Sequence, residues 1–123
     1  MNELPQTARS GGLDAVDRLD IAGLTRWWWA IAKRHWFRDE YRPALDAFRQ
    51  AFVEQLWLSH LQMAYTLPLL DRTDEAKAHV ASILRLSPGF TVRDADAYYS
   101  MWCFSPPYRE KMRDALRTAG LPE

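Results

Sequence analysis

Residues 73–90 read TDEAKAHVASILRLSPGF, and the placement of their apolar side chains decides the fold class. Ala76, Val80, Ile83 and Leu84 fall four, three and one apart, one stripe of an α-helix and no face of a strand. Both ends are punctuated. Thr73 stands where an N-cap is expected, Asp74 and Glu75 where the helix dipole favours acids, and Arg85 where it favours a cation. Ser87-Pro88-Gly89 then stops the helix.

Outward from this segment the same periodicity continues. Upstream, LWLSHLQMAYTLPLL (56–70) is apolar nearly all round and is expected to be the most buried helix, ended or kinked by Pro68. Before it, Leu45, Phe48 and Phe52 with Ala44 and Ala51 make one apolar side, and Pro43 suits a first helical turn. A turn is required near 53–56, where neither Gly nor Pro marks it. Residues 38–41 are a polar break. Asp20 is expected to cap a helix whose stripe is Leu24, Trp27, Trp28, Ile31, Ala32 and His35. Residues 13–19 predict one or two short amphipathic turns, and the polar residues 1–12 a flexible segment. Downstream, Thr91 is placed to cap a short helix, Ser105 and Pro106 open a last one, and Gly120 stops it. No stretch alternates as a strand does, so the expected fold is all-α.

Two helix pairs share one pattern. The first gives Trp28, Ile31, Ala32 and His35, then Ala44, Phe48 and Ala51; the second gives His60, Met63, Ala64 and Leu67, then Ala76, Val80 and Ile83. Ala44 and Ala76 are 32 residues apart. Small residues at these offsets let antiparallel helices approach closely, with larger neighbours filling the flanks. The pattern resembles the tetratricopeptide repeat, though two residues short of its usual period of about 34. Asp74-Glu75-Ala76, the exit Pro88-Gly89-Phe90-Thr91, the aromatic connector Tyr98 to Phe104 and the close Leu116 to Glu123 are similar to the carboxyl-terminal tails of bacterial class III adenylate cyclases and winged-helix regulators. The resemblance spans residues 20–123 and is most specific from 73 onward. It implies a TPR-like α-solenoid: repeat one at 21–54, repeat two at 55–88, and a cap at 89–123 in which the connector aromatics cover the open face of helix 73–86. It also implies a regulatory role beside another domain, and no catalytic residue carries over.

Composition narrows the function. Hydrophobic residues make up 48% and charged residues 26% of the 123 positions, which suits one folded domain. Sixteen basic residues balance sixteen acidic ones, whereas a protein that lives on nucleic-acid backbones usually carries a basic excess. The longest apolar run, WWWAIA, is far short of a bilayer span. The amino terminus lacks a signal-peptide core, and Cys103 is the sole cysteine, expected buried. These features predict a cytoplasmic protein bound neither to nucleic acid nor to membrane.

The segment RWWWAIAKRHWF (26–37) supplies the candidate site. Trp28, Ile31, Ala32 and His35 are expected in the core, leaving Arg26, Trp29, Lys33 and Trp36 as a second strip. In the resembling repeats that strip lines a concave groove, with Leu61 and Tyr65 as its counterparts in the second pair. Either residues 13–19 fold back over these rings, or the strip meets another chain, through a docked segment or by homodimerisation. A groove closing over a small apolar or cationic molecule is the competing expectation. His35, His60 and His79 lack metal-ligand spacing, and Glu75 with His79 reads as a surface pair. Asp94 and Asp96 read as helix-start acids. No catalytic residue, cofactor or metal is expected.

Overall fold

The computed structural model describes the backbone from residue 12 to 123 and side chains from residue 23. The expected flexible segment therefore lies almost wholly outside the described residues. Six α-helices and one 3-10 turn follow in order, and no strand occurs among the described residues. They are α1 (Gly12–Phe37), α2 (Tyr41–Gln50), α3 (Trp57–Thr66), the 3-10 turn Leu67–Leu70, α4 (Thr73–Leu86), α5 (Val92–Met101) and α6 (Pro106–Thr118). They form three hairpins, α1–α2, α3–α4 and α5–α6.

α1 is a single helix of 26 residues with no break at Asp20, so residues 13–19 do not fold back over the tryptophans. At about 1.5 Å per residue it is roughly 39 Å long against about 15 Å for α2, and its amino-terminal half runs beyond its hairpin partner. Asp39, at φ +61°, turns the chain into α2, and His35 braces the turn through Nδ1 at 2.7 Å from Glu40 Oε1.

The turn at residues 51–56, which carries no Gly or Pro, is held by the helix that follows it. Ser59 Oγ accepts from the Val53 N–H at 3.0 Å, and His60 Nε2 donates to the Glu54 carbonyl at 2.8 Å. Both side chains are buried, so this stretch of backbone is satisfied by side chains in place of turn residues. Pro68 tightens the end of α3 into the 3-10 turn, and Asp71 at φ +59° redirects the chain. α4 begins one residue earlier than its sequence suggests: Arg72 holds the N-cap position and pairs with Glu75 at 2.6 and 2.8 Å, while Thr73 is the first helical residue. Thr91 does cap α5, in a reciprocal box with Asp94 (3.0 and 3.1 Å). Gly120, at φ +94°, ends α6, and the Leu121 N–H reaches back to the Leu116 carbonyl at 3.0 Å.

The alanines do what their spacing implied. Ala32, Ala44, Ala64 and Ala76 are fully buried, and α1–α2 and α3–α4 are the most extensively packed helix pairs. Ala95 and Ala115 are buried likewise in α5 and α6. Asp96 ties that third hairpin together by accepting from Arg109 at 2.9 Å and Arg113 at 2.6 Å. Burial alone would raise the Asp96 pKa, but the hydrogen bonds from the two arginines hold it below the usual value.

The carboxyl-terminal hairpin does not chiefly cover α4, as the resemblance implies. α6 packs on α3 and on the 3-10 turn, and it reaches the end of α1. There Phe37 meets Phe104 and Tyr108 at centroid distances of 4.9 and 4.6 Å, and Lys111 Nζ meets Asp39 Oδ1 at 2.6 Å. The hairpin thus turns back over the inner side of the first two pairs.

Candidate functional site

That return divides the expected strip in two. Trp36, Leu61 and Tyr65 are at most 1% exposed and belong to the core, not to a groove. Trp36 sits among Phe37, Tyr41, Tyr65 and Tyr108 at 5.4–6.4 Å. The Tyr65 hydroxyl bonds to the Tyr99 hydroxyl at 3.3 Å, and burial pushes the pKa of both phenols up. The cause of the difference is the α5–α6 hairpin, which occupies the place where an open repeat stack would leave these residues wet.

The other half of the strip stays outside the core. Arg26, Trp29 and Lys33, at intervals of three and four on α1, form one wall of a half-open groove of about 230 Å³. Leu58 and Gln62 of α3 also line it, with Tyr98 and Tyr99 of α5 and Trp102 just beyond. On α3 the lining pair is therefore 58 and 62 instead of 61 and 65. Across the groove Lys33 Nζ stands 6.0 Å from the centroid of Trp102, within cation–π range. Trp102 is 59% exposed, while Tyr98 is braced by Trp57 and Tyr99 at 5.6 and 5.0 Å. None of the eight lining residues is acidic.

The Trp29 Nε1–H beside the groove is shielded from solvent without an acceptor, as is that of Trp36 in the core. Gln62, which lines the groove, is only 5% exposed.

The rest of α1 departs from its expected phase. Leu24 and Trp27 are more than half exposed, Trp28 and Ile31 are half-buried, and one third of the His35 side chain is open to solvent. Cys103 is exposed, at φ +62°, and not a buried apolar residue. His79 does not pair with Glu75, which is taken by Arg72; its Nδ1 lies 2.9 Å from Nδ1 of His60. Because His60 Nε2 already donates to a carbonyl, a neutral His60 accepts at Nδ1, which places the shared proton on His79 Nδ1. Phe52 covers both rings at 5.0 and 5.7 Å. Asp94 serves the α5 cap and Asp96 the α6 arginines, so neither faces the groove.

Among the described residues no cluster of three or more His, Cys, Asp or Glu is placed to hold a metal, and no helix is long and apolar enough to cross a membrane. No protein family, curated protein or solved structure matches the chain.

Proposed function

We propose that the chain is a non-catalytic protein-interaction module, a TPR-like scaffold, adaptor or regulatory tail working in the cytoplasm. It receives a short segment of a partner protein in the groove between α1 and α5. The observation that carries this reading is the groove itself: an aromatic cleft with two cations on one wall, left open although the carboxyl-terminal hairpin seals the neighbouring surface. Exposed Trp, Tyr and Arg side chains are where interface energy concentrates. A guanidinium, an ammonium and a carboxamide are recognition groups, not a nucleophile with its base. Size argues against the small-ligand alternative. At about 230 Å³ the groove falls below the ~300–1,000 Å³ of typical small-molecule sites, and it holds one or two inserted side chains. The exposed Leu24 and Trp27 of α1 also support self-association, since one shared patch pairs with twofold symmetry.

The test is affinity purification of the full chain beside a Trp29→Ala/Trp102→Ala variant, with the bound proteins identified and native mass spectrometry of the purified chain. A protein retained by the wild type, released by the variant and mapped to a short segment supports the reading. A small molecule bound in stoichiometric amount and lost in the variant replaces it with the sensor.

A further inference from the structure

Resting on that reading, we infer that the segment the groove accepts is acidic, with an aromatic side chain between two carboxylates about three residues apart. The charge pattern points first. Arg26 and Lys33 stand on one wall without a carboxylate partner among the described residues, and no acid lines the cleft. The chain as a whole is neutral, with sixteen charges of each sign, so the positive potential here is local and its preference is for an anionic occupant.

Spacing gives the register. Arg26 and Lys33 are seven residues apart, about 10.5 Å along the axis of α1. A polyproline II segment advances ~3.1 Å per residue with three residues per turn, so carboxylates three residues apart lie on one side and match the two cations. Trp29 lies between them, across from Tyr98 and Trp102 and above Leu58. A ring carried between the two acids enters this cleft, edge-on or offset against the indoles. It leaves the backbone of the segment along the open side. Lys33 already leans on Trp102 at 6.0 Å, and a carboxylate drawn to its ammonium stays beside the ring that covers the inserted side chain.

Fluorescence anisotropy with the full chain tests this. The probe is a labelled, end-blocked octapeptide with two glutamates three positions apart and a phenylalanine between them. Its companions carry glutamine or lysine in place of the glutamates, or alanine in place of phenylalanine. Both ends are blocked so that no terminal carboxylate contributes. At low salt the glutamate peptide is expected to bind about 2- to 30-fold tighter than the glutamine peptide, the range for two exposed charge pairs, with the advantage shrinking as salt screens it. Arg26→Gln/Lys33→Gln removes the preference, and Arg26→Glu/Lys33→Glu transfers it to the lysine peptide. Equal binding of all charge variants overturns the acidic occupant and leaves the docking reading intact. So does the absence of any peptide binding while a co-purified partner still depends on Trp29 and Trp102. N-acetylphenylalanine binding as tightly as the peptide overturns both, because the occupant is then a free small acid.

Discussion

Replacing Trp36 separates a core aromatic from a groove aromatic. The indole is 1% exposed and lies within 6.4 Å of four other rings. Truncating a fully packed tryptophan to alanine costs about 3–5 kcal/mol, transfer and cavity together. One feature moves Trp36 toward the low end: its Nε1–H is buried without an acceptor, a cost of about 1–3 kcal/mol that the native protein already bears. Trp36→Ala is therefore expected to lose ~3 kcal/mol, and Trp36→Phe, which keeps a ring and removes the orphan donor, less than ~1.5 kcal/mol. With an unfolding entropy near 2.1 cal/mol/K per residue, 123 residues give about 0.26 kcal/mol/K. The alanine variant should then melt roughly 12 °C lower. Urea titration followed by far-ultraviolet circular dichroism measures both losses without relying on the indole removed. A loss below ~1 kcal/mol for alanine, or equal losses for alanine and phenylalanine, would refute the placement of this ring in the core.

Acidification is expected to weaken the fold through the His60–His79 contact. Burial first, and the neighbouring His60 second, lower the His79 pKa, against opposing pulls from Glu54 and Glu75. The unfolded chain, titrating near 6.5, thus takes up the proton before the folded one. Stability is complete above about pH 6.5 and declines as pH falls toward the depressed folded value, by at most ~1.4 kcal/mol per pH unit for one group. Wild-type melts between pH 7.5 and 5 should show this slope and His79→Gln a flatter one; parallel curves would contradict it. Deleting residues 98–123 strips the cover from Trp36, Leu61 and Tyr65, so aggregation or loss of cooperative melting is expected, and a soluble, cooperatively melting truncation would count against the cap. Thr91→Ala removes half of the α5 capping box and should cost ~1 kcal/mol by chemical denaturation, with Thr91→Ser nearly neutral.

The helix pairs were legible because their contacts are local. Ala32, Ala44, Ala64 and Ala76 meet helices adjacent in sequence, and the 3.6-residue period marks the faces that do so. The phase of α1 was not legible, because its stripe is set by something remote. Lys111 reaches Asp39 across 72 positions, and Tyr108 and Phe104 pack on Phe37, so the core centres on Ala32 and Trp36 and not on Trp28 and His35. With indoles at 27, 28, 29 and 36, hydrophobicity alone leaves the rotation of this helix open. α3 hides its phase differently: residues 58–67 are all buried, so no exposed stripe exists to read. The outward position of Trp102 had a faint signal in its four-residue spacing from Tyr98. For the His60–His79 contact the signal was the lack of turn residues at 51–56, which left the loop to be satisfied by other groups.

On the proposed reading, one element governs both stability and recognition. By folding back, α5–α6 draws the carboxyl-terminal end of the α1 aromatic strip into the core and leaves the amino-terminal part facing Tyr98 and Trp102. α1 and α5 have little direct packing between them, and Lys33 stands 6.0 Å from Trp102 across their cleft. On the proposed reading, an occupant wedged there would add α1–α5 contacts to those that already join Phe37 to Phe104 and Tyr108. It would bind only where both walls are in place, so its binding free energy would add to that of folding, and the cap would be held most firmly with the groove filled.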